Sequence, residues 1–85
     1  MEQILRQAIA FYGAEHQENM CIEEMAELAV AILHKRRGRE HNIPEEIADV
    51  EIMLEQMKMV HCCAEDVERM KVKKLQRLKN NTEEG

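Results

Sequence analysis

Apolar residues recur at helical spacing along almost the whole chain, and few residues interrupt them. Pro occurs once and Gly three times, and no segment alternates apolar and polar residues as a strand would. The pattern therefore predicts an all-α chain with about four helices. We expect these helices to run from about Glu2 to Tyr12, from about Gln17 to Arg37, from the N-cap Asn42 to about Val60, and from near Ala64 to near Asn80.

The ends of the second and third helices carry the clearest signals. Lys35, Arg36 and Arg37 precede Gly38, an arrangement typical of a helix C-terminus, where cations oppose the negative end of the dipole and glycine accepts a left-handed conformation. The segment Asn42-Ile-Pro-Glu45 then supplies an N-cap residue, a proline in the first turn and an acid three residues on. A short connection predicts antiparallel packing of these two helices.

A length of 85 residues fits one domain, which we place at residues 1–80, with residues 81–85 as a disordered tail. Hydrophobic residues make up 45% of the chain, and seven of them are Met. So short a chain buries only part of its apolar surface. We therefore expect the helices to pack as a bundle through homo-oligomerisation, as a homodimer or homotetramer.

Charge and cysteine content restrict the classes of partner and the cellular location that we expect for the chain. A formal net charge of −5 argues against a nucleic-acid polymer, which requires a basic face. The sequence contains no run of 18 apolar residues and no secretory signal, so we expect no membrane partner. The four histidines and three cysteines match no zinc-binding spacing, and an odd cysteine count indicates reduced thiols. A cytoplasmic location is expected.

The second helix carries an unusual polar stripe. Between residues 20 and 33 the only charged side chains are those of Glu23, Glu24 and Glu27, and every other residue is apolar. A solvated helix face normally mixes basic and uncharged polar residues with its acids. This composition predicts a largely buried helix with a purely acidic stripe.

The third helix repeats this feature, because Glu46 falls within its apolar face and Asp49 lies at the edge of that face. The pairs Glu24/Glu27 and Glu46/Asp49 are therefore predicted to face each other. Four such carboxylates cannot all stay ionised and unpaired. Either basic partners neutralise them or a hard cation does, and oxygen ligands suit Mg²⁺ or Mn²⁺. The alternative is that both pairs are simply solvated.

The fourth helix adds basic residues. Lys74 and Arg77 lie three residues apart beside apolar neighbours, where they could hold phosphate oxygens, the arginine in bidentate fashion. The alternative is that their long side chains extend from the rim of an apolar stripe into water.

The acidic residues also form a longer motif. Glu23-Glu24-Met-Ala-Glu27, then 18 residues, then Glu46-Ile-Ala-Asp49 resembles the EExxE…ExxD signature of the MazG-like nucleotide pyrophosphohydrolases, in the all-α NTP pyrophosphatase superfamily. With Lys74-Leu-Gln-Arg77-Leu78, the resemblance extends from about Tyr12 to Leu78 and is nearest to small phage- and Firmicute-type members.

This resemblance implies an all-helical dimer or dimer of dimers. It implies Mg²⁺ held by Glu24, Glu27, Glu46 and Asp49, with Glu23 as an outer ligand or as the residue that positions or activates the attacking water. The implied reaction is hydrolysis of a nucleoside triphosphate to the monophosphate and pyrophosphate, in house-cleaning or nucleotide-pool control. Mn²⁺ is a possible substitute for Mg²⁺.

Two hypotheses follow from the sequence. The first is this hydrolase, in which Tyr12, where many relatives of the family carry Trp, is a candidate for stacking on the base; the alternative for Phe11 and Tyr12 is a place in the core. The second is a non-catalytic helical oligomerisation or partner-binding module that retains the fold. A response of the melting temperature to Mg²⁺ would distinguish them.

Overall fold

The computed structural model describes residues 1–84, which form four α-helices and no strand. α1 spans Glu2–Tyr12, α2 Ala14–Arg36, α3 Ile43–Val60 and α4 Ala64–Glu84. The predicted all-α chain of four helices is confirmed. None of these helices combines the length and apolar composition that crossing a membrane requires.

α4 continues beyond Asn80, where the sequence predicts that it frays. Residues 81–84 form its last turn, so they are helical rather than a disordered tail. No glycine or proline interrupts this segment before Gly85, and the Lys79 ammonium lies 4.0 Å from the Glu83 carboxylate across one turn. The tail prediction for Gly85 lies outside the described residues.

Glycine permits the first two turns. Gly13 joins α1 to α2 with φ 93° and ψ 151°, a conformation essentially restricted to glycine. Gly38 ends α2 with φ 72°, and its N–H donates to Lys35 O at 3.0 Å while the Arg39 N–H donates to His34 O at 2.8 Å. This pair of hydrogen bonds is a Schellman motif, and it confirms the predicted end of α2 at Gly38.

Asn42 occupies the N-cap position of α3, and a proline stands in the first turn, as the sequence predicts. The Asn42 carbonyl accepts a hydrogen bond from the Glu46 N–H at 3.0 Å. Its side chain, however, makes no capping hydrogen bond to the backbone and donates instead to the Glu45 carboxylate. The first turn of α3 therefore relies on its proline and its acids more than on a side-chain cap.

The turn between α3 and α4 has the same hydrogen-bond pattern as the turn at Gly38, but it contains no glycine. The Cys63 N–H donates to Lys58 O at 3.0 Å and the Cys62 N–H to Met59 O at 3.2 Å. Cys62 stands in the left-handed position with φ 51°. A side chain there costs about 1–2 kcal/mol, so this turn stores backbone strain.

α2 and α3 form the main interface, α1 packs on both, and α4 contacts only α3. The buried apolar core is small, and it consists of Leu5, Cys21, Ala31, Val50 and Met53. Two buried glutamines, Gln17 and Gln56, join α2 to α3. A single chain therefore builds a three-helix unit from which α4 diverges.

Many apolar side chains stay exposed in this arrangement. On α2 these are Ile22, Met25, Val30, Ile32 and Leu33, and on α4 they are Met70, Val72, Leu75 and Leu78. The prediction that α2 is largely buried is thus wrong for a single chain, because only α1 and α3 cover this helix. Its remaining faces carry the apolar surface that the composition indicates.

Candidate metal centre

Three carboxylates from two helices meet at the α2–α3 interface. Glu24 projects from α2, and Glu46 and Asp49 project from the start of α3; each offers an oxygen within 4.8 Å of the others. Spacing of i and i+3 places Glu46 and Asp49 on one side of α3, and the packing of α2 on α3 brings Glu24 to them. All three side chains are half-buried.

Glu27 joins this group from one turn further along α2. The residue itself is exposed, but its charge raises the pKa of both Glu24 and Glu46. The four acids of the two predicted pairs therefore come together. We refer to Glu24, Glu27, Glu46 and Asp49 as the acidic cluster.

Burial and mutual repulsion both act on the acidic cluster. Burial raises the pKa of Glu24, and the charges of Glu27, Asp49 and Glu46 raise it further. Burial likewise raises the pKa of Glu46, followed by the charges of Glu27, Asp49 and Glu45. Every charged group that shifts either pKa is another carboxylate. A proton or a cation would therefore stabilise the folded cluster.

Two oxygens of the acidic cluster lack any partner. Glu24 Oε2 and Glu46 Oε2 are shielded from solvent, and neither has a hydrogen-bond partner within the described part of the chain. Buried polar atoms are normally satisfied, and leaving one unpaired is unfavourable. Oxygen-only donors on two helices suit a hard divalent cation such as Mg²⁺ or Mn²⁺. The residues present thus fit such an ion.

Glu23 lies apart from these oxygens. It is exposed, and it immediately precedes Glu24 in the chain, so the two side chains point in directions about 100° apart around the helix. Its charge is not among those that shift the pKa of Glu24. Glu23 is therefore available to solvent at the edge of the acidic cluster.

The structure does not bring Lys74 and Arg77 to the acidic cluster within one chain. α4 contacts α3 but not α2, and residues 68–83 of α4 are all exposed. Within residues 1–84 neither cation forms an ion pair with the acidic cluster.

Tyr12 is exposed at the end of α1. Its ring stacks on the His16 ring with centroids 5.0 Å apart and an interplanar angle of 14°, and it meets Phe11 edge-on at 4.8 Å. Phe11 is 82% exposed and Tyr12 55%. The core alternative for these two residues is therefore wrong for the single chain, and the base-stacking prediction for Tyr12 stays a prediction.

An open cleft of about 460 Å³ adjoins the acidic cluster, which we call the α2–α3 cleft. Glu27 and Glu46 form one end of its lining, which also includes Val30, Ala31, His34, Glu40, His41 and Asn42. The sequence analysis assigns no role to His34 or His41. The spacing of positions 27, 30 or 31, and 34 nevertheless indicates that His34 lies on the same face of α2 as Glu27.

No protein-family model, curated protein or solved structure matches the chain. The resemblance to the MazG-like family therefore stays a prediction that rests on its motif residues. The evidence for a role of this site is the geometry of the acidic cluster and its surroundings.

Proposed function

We propose that the chain is a Mg²⁺-dependent hydrolase that converts nucleoside triphosphates into the monophosphate and pyrophosphate, with Mn²⁺ as a possible substitute. The observation that supports this proposal is the pair of solvent-shielded oxygens on Glu24 and Glu46 that have no partner within residues 1–84. They belong to a group of three converging carboxylates, and the charge of a fourth, Glu27, acts on both glutamates. Leaving two shielded oxygens unpaired destabilises the fold, and a divalent ion bound to the acidic cluster would satisfy them.

Glu24, Glu27, Glu46 and Asp49 would hold the ion. When bound, Mg²⁺ neutralises charge on the phosphates and makes a nearby water more acidic. Hydrolysis then joins the water oxygen to the α-phosphorus and breaks the bond from that phosphorus to the bridging oxygen, which leaves with pyrophosphate. We assign Glu23 to positioning the water and accepting its proton, because this carboxylate faces solvent at the edge of the acidic cluster.

Binding a triphosphate also requires cations, since the chain carries a net charge of −5. Lys74 and Arg77 are assigned to phosphate oxygens, supplied by the partner copy in a homodimer or dimer of dimers. The exposed apolar residues of α2 and α4 support this assembly, because their burial between copies is favourable. Tyr12 is assigned to base stacking through the ring face that His16 leaves open.

The test is pyrophosphate release from a panel of canonical and modified nucleoside triphosphates, with Mg²⁺ and with Mn²⁺. Glu27→Gln and Asp49→Asn should abolish turnover while circular dichroism shows an unchanged helical content. Glu51→Gln is the matched control, because Glu51 is an exposed acid of α3 outside the acidic cluster. Absence of pyrophosphate release with every nucleotide and both metals would contradict the proposal.

A further inference from the structure

The chain exposes more surface than a compact monomer of its mass. Its accessible surface is 6881 Å², whereas a folded monomer of 10.0 kDa exposes about 5,200 Å². Its radius of gyration is 15.8 Å, against about 12 Å for a compact domain of 85 residues. The excess surface of about 1,600 Å² is more than the area of about 800 Å² that each partner buries in a stable complex.

α4 accounts for much of this excess, because it diverges from the other helices. Residues 68–83 are all exposed, and α4 contacts α3 alone. Between residues 69 and 79 the helix carries six basic side chains and no acid. Met70, Leu75 and Leu78 lie exposed among them. α4 thus presents a basic and partly apolar surface that its own chain does not cover.

Half of these cations also lack an ionic partner in their own chain. Three of the six form ion pairs with acids of α4 itself, namely Arg69, Lys71 and Lys79. Within residues 1–84 the other three, Lys73, Lys74 and Arg77, form none. A surface that carries charge of one sign favours a partner that carries the other.

α2 carries an exposed apolar face that fits such a helix. Helical spacing places six exposed residues on one side of α2, and we call them the α2 apolar face: Ile22, Met25, Ala26, Ala29, Ile32 and Leu33. Further around the helix come Val30 and then Glu23 and Glu27, which are also exposed. A helix docked on the α2 apolar face would therefore run beside the acidic cluster, to which Glu27 belongs.

The charge of α2 is opposite to that of α4. From residue 7 to residue 34 the chain contains five glutamates and no lysine or arginine. Two α4 helices that faced each other would bring their cations together, and two α2 helices would bring their glutamates together, so both pairings oppose like charges. Pairing of α4 with α2 instead joins two apolar surfaces of opposite charge. Within residues 1–84 of one chain these two helices do not contact each other.

We propose that α4 of one copy docks on the α2 apolar face of a second copy, and that the second copy's α4 docks in the same way on the first. Exchange of the same two surfaces gives a closed two-fold assembly. This inference rests on the homo-oligomer of the proposed function, and it names the surfaces that form it. It also brings Lys74 and Arg77 of each copy to the acidic cluster of the other.

The test is a charge exchange between the two surfaces, measured on the full chain by light scattering with size-exclusion chromatography. Lys74→Glu/Arg77→Glu places acids on α4, and Ile22→Lys/Met25→Lys places cations on the α2 apolar face. Each double variant alone should raise the dissociation constant of the oligomer at least about a hundredfold, because like charges then oppose each other. An equimolar mixture of the two should associate again, since every α4 then meets an α2 of opposite charge.

Matched controls place the same charges elsewhere. Gln3→Lys/Gln7→Lys adds two cations at exposed positions of α1, and Lys35→Glu/Arg39→Glu reverses two exposed cations outside α4. Both controls should keep the oligomeric mass of the wild type. Circular dichroism of every variant verifies that its helical content is unchanged, so that loss of association is not loss of the fold.

The outcomes separate this interface from the enzyme. A mixture that stays monomeric overturns the proposal, as does a wild-type oligomer that Lys74→Glu/Arg77→Glu leaves intact. A monomeric wild type overturns it too, and if this monomer binds phosphatidylserine vesicles through α4, the helix serves a lipid surface instead. Association restored by mixing, without pyrophosphate release from any nucleotide, supports the interface and contradicts the enzyme. Pyrophosphate release by a monomeric wild type does the reverse.

Discussion

Gln17 on α2 donates a hydrogen bond of 2.8 Å from its side-chain amide to Oε1 of Gln56 on α3. Both side chains are among the most buried of the chain, with exposures of 5% and 3%. The Gln56 amide also reaches the Sδ atom of Met53 at 3.5 Å. This hydrogen bond joins the same two helices that carry the acidic cluster, so it helps to set their relative position.

Replacing Gln56 with Leu should therefore lower the free energy of unfolding by about 1–3 kcal/mol, because the buried amide of Gln17 loses its acceptor. The double variant Gln17→Leu/Gln56→Leu should recover part of this loss, since both polar groups are then removed. Urea denaturation measures both effects. Gln76→Leu, at an exposed position of α4, is the control; equal stability of Gln56→Leu and the wild type would contradict the assigned role.

The acidic cluster should make stability depend on pH when a chelator is present. The folded-state pKa values of Glu24 and Glu46 are raised, chiefly by burial and then by neighbouring carboxylates. The folded chain therefore binds more protons than the unfolded chain, whose glutamates have a pKa of about 4.3. The stability that protonation of Glu24 and Glu46 contributes is fully present below the unfolded-state pKa. It is lost as pH rises through their raised folded-state pKa values.

Melting curves of the wild type and of Glu46→Gln, recorded in EDTA between acidic and neutral pH, isolate this contribution. The variant should gain in melting temperature relative to the wild type as pH rises, because an amide cannot ionise. Glu51→Gln, at an exposed acid of α3 outside the acidic cluster, is the matched control and should lack this gain. A constant difference for Glu46→Gln as well would show that the predicted repulsion is absent.

Divalent cations should restore the stability that repulsion among the carboxylates of the acidic cluster removes at neutral pH. A ligand that binds only the folded state stabilises it by mass action, by about 2.7 kcal/mol at a hundredfold excess over Kd. We therefore expect Mg²⁺ or Mn²⁺ to raise the melting temperature of the wild type, and a non-hydrolysable triphosphate analogue to raise it further. Glu24→Gln should greatly reduce the response, while Glu51→Gln keeps it; indifference of the wild type to both metals favours the non-catalytic module.

The strained turn after α3 offers a stabilising substitution. Cys62→Gly should raise the free energy of unfolding by about 0.5–1 kcal/mol, because relief of the left-handed strain exceeds the added entropy of the unfolded chain. Gly38→Ala should lower stability, because alanine would be strained at φ 72° even though the space around the position is open. Chemical denaturation with reduced thiols tests both; destabilisation by Cys62→Gly would show that the cysteine side chain compensates the strain.

The exposed face of α4 should determine the assembly. Leu75 and Leu78 are about three-fifths exposed, at 61% and 58%, and lie three residues apart. Replacing both with Glu should shift the chain toward the monomer, because burying charge between copies is unfavourable. Light scattering with size-exclusion chromatography measures this shift, and Gln76→Glu is the charge control. A wild-type chain that is monomeric at high concentration would contradict the proposed homo-oligomer.

Local sequence determined the helices and the faces that carry their acids. Helix ends depend on nearby residues, such as Gly38 after α2, and spacings of i and i+3 place Glu46 and Asp49 on one side of α3 whatever it packs against. These features could be predicted because they involve residues within a few positions of each other. The end of α4 was predicted less well, since helix formers without a breaker give no distinct stop signal.

Tertiary structure decided which of these residues meet. The buried pair Gln17 and Gln56 joins positions 39 residues apart, and no local pattern distinguishes such glutamines from exposed ones. The unpartnered oxygens of Glu24 and Glu46 likewise exist only because packing shields them. The divergence of α4 and the cleft that reaches His34 depend on the path of whole helices. Such contacts are set by the summed packing of distant side chains, which the spacing of residues along one helix does not encode.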